Sequence, residues 1–204
     1  MIYRIVWSFC RLAFATLFRW QVRGAEHVPA HGAVILASNH ISNLDPPVVG
    51  VGVWRPCTFM AKEELFHNRF FGGFIRRLGA FPVKRGAGDR AALKKALELL
   101  EEEHALVMFP EGTRSETGEL QQAEMGVGMI ACRSGAPVVP VYVTGTNRVM
   151  PKSGGLHLAR ICVTYGPPLR FEPPAGSKPG REEYESAARE IMAAIAALRD
   201  GSSQ

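Results

Sequence analysis

The chain has 204 residues, of which 47% are hydrophobic and 21% charged, and its formal net charge is +5. This length indicates one domain with a substantial core, and the composition excludes a largely disordered or collagen-like chain. The four cysteines are far apart and form no CxxC pair, which argues against a zinc site and a disulfide framework. A basic chain suits an anionic membrane, a phosphorylated metabolite or a nucleic acid, so charge alone selects no partner.

The first segment of the chain is apolar but interrupted by arginines. Residues 1–24 contain four arginines and no acid, and no uncharged stretch within residues 2–19 exceeds seven residues. A membrane span needs roughly 20 apolar residues. Arg11 also interrupts the apolar stretch that a signal peptide requires. We therefore expect neither a transmembrane segment nor secretion.

Placed on a helix, residues 2–19 have one basic stripe, which is less than about 90° wide. The stripe consists of Arg4, Ser8, Arg11, Ala15 and Arg19. We expect this helix to lie among lipid headgroups, with its arginines against anionic lipid and with Trp7 and Phe14 at the acyl boundary. This interpretation makes residues 1–22 a membrane anchor. The alternative is a helix packed on the domain, with the basic stripe in water.

Beyond residue 24, short β-branched runs alternate with segments of helix length. The predicted strands are residues 33–38, 57–61, 105–109, 137–145 and 159–166. The predicted helices are residues 89–103, which Asp89 would cap, about 123–134, and about 181–198. This alternation predicts a single α/β domain, residues 23–204, with a mixed, largely parallel sheet covered by helices. The amphipathic, membrane-associated helix would precede it.

A histidine and an aspartate follow the first predicted strand. In such sheets, reactive residues tend to lie on loops at the carboxyl ends of strands. His40 and Asp45 are five residues apart, on a loop that Pro46 and Pro47 would stiffen. A carboxylate bonded to one ring nitrogen fixes the tautomer, so that the other nitrogen can take a proton from a hydroxyl. His40 is a candidate general base with Asp45 as its orienting partner, and a purely structural pair is the alternative.

Residues 109–115, which read FPEGTRS, follow a later strand. A glycine lets the backbone approach a ligand closely, and an arginine can bind an anion through two parallel hydrogen bonds. Gly112 and Arg114 therefore predict an anion or phosphate clamp. An ordinary turn with a solvated salt bridge is the alternative.

Together these segments resemble the glycerolipid acyltransferase family, whose best-known members are 1-acylglycerol-3-phosphate (lysophosphatidate) acyltransferases. Four blocks of the family occur in order, and the resemblance covers roughly residues 24–170. The matches are Asn39-His40 with Asp45 (NH, four residues, D), residues 79–85 (GAFPVKR), residues 109–115 (FPEGTRS, without a change) and residues 138–141 (VVPV).

The resemblance implies an acyltransferase domain over residues 23–204. In that chemistry an acyl group moves from acyl-CoA or acyl-carrier protein directly to a hydroxyl, with no acyl-enzyme, no metal and no cofactor. By the resemblance, His40 deprotonates the acceptor hydroxyl and Asp45 holds its ring. The resemblance assigns acceptor binding to Arg85, Glu111, Gly112 and Arg114. We expect Lys84 to assist them and Thr113, in the same block, to bind the acceptor as well.

The expected acceptor is 1-acyl-glycerol-3-phosphate, and the expected product is phosphatidate for phospholipid biosynthesis. We expect a monotopic or peripheral enzyme on the cytoplasmic face of a bacterial inner membrane. Glu124 stands near the point where family members commonly have a lysine, so another lysolipid, such as a lyso-ornithine lipid, remains an alternative acceptor. A non-catalytic basic domain that binds membranes or nucleic acid is the alternative outside the enzymes. The intact His40 and Asp45 argue against it, and we expect no nucleic-acid partner.

An aromatic and basic cluster lies within residues 59–77. Such a mixture resembles a nucleic-acid surface, but core aromatics beside a solvated face are the favoured interpretation. A third interpretation is an apolar channel for an acyl chain, bordered by cations at headgroup level. The sequence does not separate these possibilities.

Overall fold

In a computed structural model, residues 2–83, 90–171 and 179–201 are described. The strands are β1 (Gln21–Arg23), β2 (Val34–Ser38), β3 (Cys57–Lys62), β4 (Ala80–Val83), β5 (Ala105–Met108), β6 (Val138–Thr144) and β7 (Cys162–Tyr165). They form a single sheet in the order β1-β7-β6-β2-β5-β3-β4. Among these described strands, β6 and β7 pair antiparallel and every other neighbouring pair is parallel. The predicted α/β fold with a mixed, largely parallel sheet is confirmed.

Helices cover both faces of this sheet. They are α1 (Ile2–Leu17), α2 (Asp45–Gly52), α3 (Arg69–Arg77), α4 (Arg90–Glu101), α5 (Met125–Ser134), α6 (Thr146–Val149) and α7 (Arg181–Gly201), with 3-10 turns at Ala25–His27 and Glu63–Phe66. The apolar side chains of α1 and α2 form the core on one face, and those of α4, α5 and α7 form the core on the other. No helix in the described ranges combines the length and the apolar character that crossing a membrane requires.

Strand β2 lies at the centre of the sheet between β5 and β6. All five of its residues are buried. Val34 and Leu36 face the α1–α2 core, while Ile35 and Ala37 face the opposite core. A parallel strand covered on both faces has a continuous apolar sequence, which is why the sequence predicted β2 to within one residue.

The predicted loop at Pro46 and Pro47 is instead the start of a helix. Helix α2 begins at Asp45, and the prolines occupy its first turn. The first N–H groups of a helix have no intrahelical acceptor, so proline loses nothing there, and its fixed φ suits the helix. The prolines therefore stiffen the start of α2. Strands β1 and β4 and helix α3 were not identified individually, and Asp89 lies outside the described residues.

Helix α1 is oriented differently from the prediction. Phe14 is buried in the core rather than directed to lipid. Trp7 packs against the same core, and its Nε1 donates to the carbonyl of Val53 at 3.1 Å. Tyr3 Oη accepts a hydrogen bond from the backbone N–H of Cys57 at 3.1 Å. The placement of Trp7 and Phe14 at the acyl boundary was wrong, because their side of α1 covers the sheet.

The basic stripe on α1 is also divided. Arg11 donates to the carbonyl of Val51 at 3.1 Å and lies 4.2 Å from the centre of the Trp54 ring. The helix ends at Leu17, and Arg19 beyond it has a φ of 45°. Arg11 thus faces the domain and Arg19 lies outside the helix. The expectation of one helical arginine stripe was therefore wrong, and Arg11 does not face lipid.

A second apolar surface of α1 is exposed. It consists of Ile2, Ile5, Phe9 and Leu12. At 100° per residue these four positions fall within about 80° of one another and lie opposite the buried Phe14. We call these four residues the α1 stripe.

Candidate active site

His40 and Asp45 lie at the carboxyl end of the central strand β2 and are in contact. His40 Nδ1 is 2.8 Å from Asp45 Oδ2, which also accepts from the backbone N–H groups of Ile41 and Ser42 at 2.6 and 2.7 Å. Asp45 Oδ1 accepts a hydrogen bond from the hydroxyl of Thr146. The carboxylate is fully buried, and its four donors hold it in one orientation.

The hydrogen bond to Asp45 determines the tautomer of His40. Because Asp45 Oδ2 accepts, His40 Nδ1 carries the proton and Nε2 has the free lone pair. Nε2 has no hydrogen-bond partner among the described residues. The imidazole stacks on the Phe109 ring with 4.0 Å between ring centres and 22° between planes. This geometry leaves Nε2 able to accept a proton from a bound hydroxyl.

Two further side chains attach this loop to the neighbouring strand β6 and to helix α6, which follows it. Asn39 Nδ2 donates to the carbonyl of Val143 at 3.0 Å, and the Val143 N–H donates to Asn39 Oδ1 at 2.7 Å. These bonds extend the pairing of β2 with β6 beyond Ser38. Thr146, at the start of α6, supplies the remaining donor to Asp45. Thr146 could not be recognised from the sequence, since it lies 101 residues from Asp45 and outside every matched block.

Glu111 connects the two sequence segments. Its Oε1 accepts from the backbone N–H of His40 at 2.9 Å, and its Oε2 accepts from the N–H of Gln121 at 3.2 Å. Burial raises the pKa of Glu111, and the two N–H groups partly oppose that shift. With both oxygens engaged by backbone and the residue buried, Glu111 positions His40. That it also contacts an acceptor stays a prediction.

The rest of the FPEGTRS segment forms a turn beside this pair. Gly112 has a φ of 66°, a conformation that favours glycine. The Glu124 side chain lies against it, so that a Cβ on Gly112 would be 2.9 Å from Glu124 Oε1. Thr113 is exposed, and Arg114 is half-buried. Arg114 has no hydrogen bond or ion pair with any described residue, which leaves its guanidinium available to an anion.

A cavity of about 590 Å³ opens next to this turn. Asn43, Arg114 and Lys152 are among its lining residues. Lys152 Nζ also bonds to the exposed Glu116 at 2.9 Å. The cavity adjoins the His40 loop, because Ser42 Oγ donates to the carbonyl of Met150, another lining residue, at 3.1 Å. Sequence reasoning missed Lys152, which follows the last matched block by eleven residues.

Two predicted residues, Lys84 and Arg85, lie outside the described residues, and β4 is described to its end at Val83. In the part of the chain that the structure describes, no group of three or more His, Cys, Asp or Glu side chains could hold a metal ion. The four cysteines are free. The described site contains a histidine–carboxylate pair beside two cationic side chains, Arg114 and Lys152.

Comparisons with known proteins agree with this geometry. A family model described as Acyltransferase matches residues 19–144. A protein of Bacillus subtilis (strain 168) named 1-acyl-sn-glycerol-3-phosphate acyltransferase is 32% identical over 147 residues, which are 70% of this chain and 73% of that protein. A chloroplastic protein of Brassica napus with the same activity in its name is 31% identical over 66% of this chain, but this region spans only 40% of that protein.

A solved structure is also similar over nearly the whole chain. The crystal structure of the 1-acyl-sn-glycerophosphate (LPA) acyltransferase from Thermotoga maritima has a TM-score of 0.77 and 27% sequence identity. The match covers 97% of this chain and 79% of the Thermotoga chain. The chain therefore belongs to the acyltransferase family and is an acyltransferase enzyme.

Proposed function

We propose that this acyltransferase moves a fatty acyl group from acyl-CoA or acyl-carrier protein to the free hydroxyl of 1-acyl-glycerol-3-phosphate, forming phosphatidate. The observation that carries the proposal is the His40–Asp45 pair, with its free Nε2, next to a cavity bordered by Arg114 and Lys152. The names of the Bacillus and Thermotoga relatives support the same acceptor.

In the proposed reaction, His40 Nε2 takes the proton of the acceptor hydroxyl as its oxygen attacks the thioester carbon. The new C–O bond forms as the C–S bond breaks, and the protonated imidazole returns the proton to the leaving thiolate. The buried Asp45 carboxylate stabilises the transient imidazolium and holds the ring. No residue of the chain is acylated in this scheme.

The acceptor phosphate would bind to the cations of the cavity. Arg114 offers a planar pair of donors, and Lys152 adds a compact positive charge. We assign acceptor binding also to Gly112 and Thr113, which lie in the same turn as Arg114, and to Lys84 and Arg85. Glu111 acts in this scheme by positioning the His40 backbone. Family members commonly have a lysine near the position of Glu124, and in this scheme Lys152 supplies a positive charge in its place.

A second acceptor remains a candidate because the Glu124 carboxylate lies against Gly112. An acidic side chain at this turn would favour a lysolipid with a cationic group, such as a lyso-ornithine lipid, over a phosphate. The charged residues of the site favour different acceptors. Arg114 and Lys152 favour a phosphate, and Glu124 favours a cation.

The test compares kcat/KM for lysophosphatidate, monoacylglycerol and lyso-ornithine lipid, with each of the two donors, in the wild type and Arg114→Gln. Removing one bidentate phosphate contact should lower kcat/KM for lysophosphatidate by about tenfold to a hundredfold and leave that for monoacylglycerol unchanged. Arg133→Gln, an exposed arginine on α5, is the matched control. A wild-type preference for lyso-ornithine lipid, or equal rates with monoacylglycerol, would contradict the assignment of lysophosphatidate.

We further propose that the enzyme associates peripherally with the cytoplasmic surface of a membrane through α1. The support is the α1 stripe, whose four apolar side chains are exposed on the helix surface opposite the core. Residues 1–22 would then have two roles, since one side of α1 completes the core of the domain and the other would contact lipid.

A further inference from the structure

Helix α3 exposes aromatic side chains that have no role in the site described above. Phe70, Phe71 and Phe74 are 93%, 48% and 42% exposed. A surface helix of a globular protein normally has charged and polar residues on its outer side. Clustered exposed apolar residues mark a surface that contacts a partner or a membrane. The exposure also excludes the interpretation of these three phenylalanines as core residues.

The aromatic side of α3 points away from the domain. Gly72 is the buried residue of α3, and a Cβ on it would lie 2.8 Å from the Cα of Phe66. Phe70 and Phe74 are each two residues from Gly72, so at 100° per residue they lie about 160° from it on the opposite side of the helix. The N–H groups of Phe70 and Phe71 both donate to Asn68 Oδ1 at 3.0 Å, which defines the start of the helix.

Cations flank these aromatic residues. Helix α3 contains Arg69, Arg76 and Arg77 and no acidic residue, while Glu63 and Glu64 lie in the preceding 3-10 turn. The Arg76 guanidinium lies 4.6 Å from the centre of the Phe66 ring. Exposed aromatic residues beside arginines are the composition of a helix that lies at the surface of an anionic bilayer.

The topology puts α3 on the same side of the sheet as α1. Helix α2 connects β2 to β3, and α3 continues in the same direction from β3 to β4. Successive right-handed crossovers in one direction lie on one face of a parallel sheet. Helices α1 and α2 share a core on that face. The α1 stripe and the aromatic residues of α3 therefore belong to one layer of the molecule.

Helix α3 also begins near the edge of the sheet that carries His40. Strand β3 ends at Lys62, and α3 starts at Arg69 after a short turn. Strands β3 and β2 both run parallel to β5, so their carboxyl ends lie at the same edge. A bilayer that contacts Phe70 would therefore lie close to the edge at which an acceptor lipid must enter.

We propose that α3 is a second lipid-contact helix, which inserts Phe70 and Phe74 at the boundary between headgroups and acyl chains of an anionic bilayer. Arg69 and Arg77 contact lipid phosphates at the same depth. This proposal concerns a helix other than α1 and does not depend on the identity of the acceptor. Its test measures binding without turnover, so its failure and the failure of the proposed reaction are distinguishable.

The experiment is flotation of the full chain with phosphatidylcholine vesicles, with and without phosphatidylglycerol, in the absence of an acyl donor. Phe70→Ser/Phe74→Ser should lower the partition coefficient about tenfold or more, because two apolar side chains lose their burial in lipid. Arg69→Gln/Arg77→Gln should weaken binding to the anionic vesicles only. Arg133→Gln/Arg189→Gln removes the same charge from α5 and α7, on the opposite face, and should change neither value.

Thermal unfolding and size-exclusion chromatography check the fold and the oligomeric state of each variant. The single variant Phe70→Ser is the mildest change, because this side chain is 93% exposed. An unchanged partition of the folded phenylalanine variants would overturn the proposal. If the wild type is a dimer and the phenylalanine variants are monomers with unchanged partition into vesicles, the surface would be assigned to a second copy of the chain. Loss of salt-sensitive nucleic-acid binding with unchanged partition would assign it to nucleic acid, and either result overturns the lipid assignment.

Discussion

Asp45 is the residue on which the geometry of the site depends most. Its two oxygens accept hydrogen bonds from His40, Ile41, Ser42 and Thr146, which belong to the β2–α2 loop and to α6. A buried carboxylate that loses one donor retains an unsatisfied acceptor. The orientation of the proposed base is thus shared among parts of the chain that are distant in sequence.

Thr146→Val removes one of these donors and nearly preserves the side-chain volume. We expect a loss of about 1–3 kcal/mol in unfolding free energy and a fall in kcat with little change in KM, because the His40 ring becomes less well held. Steady-state kinetics and urea unfolding measure both effects. Thr164→Val, on β7, is the control. An unchanged kcat would show that three donors suffice to position Asp45.

The raised pKa of Glu111 predicts how the stability of the protein depends on pH. Because burial raises its pKa in the folded state, the native protein binds more protons at Glu111 than the unfolded chain does. Its contribution to stability is then largest below the unfolded pKa and decreases as the pH rises through the raised native value. The free energy of unfolding of the wild type, relative to Glu111→Gln, should therefore be larger at pH 5 than at pH 7.

Urea unfolding of both proteins at the two pH values measures this difference, and titrations of other groups cancel in the comparison. If the wild type instead gained stability relative to Glu111→Gln towards pH 7, the two N–H donors would lower the pKa of Glu111 by more than burial raises it.

Sequence reasoning proposed site residues that adjoin a strand end within a recognisable block, such as His40, Asp45 and Arg114. It predicted a ligand contact for Glu111 but not that both of its oxygens accept hydrogen bonds from backbone N–H groups. Thr146 and Lys152 could not be predicted, because they enter the site through the fold of the β6–α6 region. Local spacing contains no information on such contacts.

At the scale of elements, apolar runs predicted the central strands well, since these strands are covered on both faces. Helix α2 was missed because prolines are usually taken as evidence of a loop, whereas the first turn of a helix accepts them. Helix α1 was predicted as an element, but not its orientation. Its sequence has two apolar sides, and only the packed structure shows that Phe14 faces the core while Phe9 is exposed.

Helices α5 and α7 pack closely at Gly128. A Cβ at this position would overlap the carbonyl oxygen of Tyr184, whereas one on Gly126, in the same helix, would lie 4.0 Å from Leu93. Gly128→Ala should therefore destabilise the protein by about 1–3 kcal/mol or more through overpacking. Gly126→Ala should be neutral or stabilising by up to about 1 kcal/mol. Thermal unfolding of the pair tests the contact, and equal effects would contradict it.

At the scale of the whole molecule, one face of the sheet combines a core-forming layer with two exposed apolar surfaces. The α1 stripe and the aromatic residues of α3 lie in that layer, whereas the long helix α7 covers the other face. This asymmetry gives the enzyme one side that suits a lipid surface and places the edge bearing His40 beside it.

The α1 stripe can be tested without disturbing the core. Phe9 is 71% and Ile5 is 60% exposed, so Ile5→Ser/Phe9→Ser should leave the melting temperature unchanged while lowering vesicle binding about tenfold or more. Met125→Ser, an exposed residue on α5, is the control. Full vesicle binding by the α1 variant would exclude α1 as a contact. Truncation of α1 is less informative, because it would remove Phe14 from the core.

The most direct measurement is release of free thiol from acyl-CoA or acyl-carrier protein in micelles containing lysophosphatidate, comparing the wild type with His40→Ala. The matched control is His104→Ala, which removes a half-exposed histidine at the amino end of β5, the opposite edge of the sheet. A positioned base contributes about 10² to 10⁴ in rate, so acceptor-dependent release should fall at least a hundredfold in His40→Ala and remain at the wild-type rate in His104→Ala. Release that persists in His40→Ala, or that does not depend on an acceptor in the wild type, would contradict direct acyl transfer with His40 as the base.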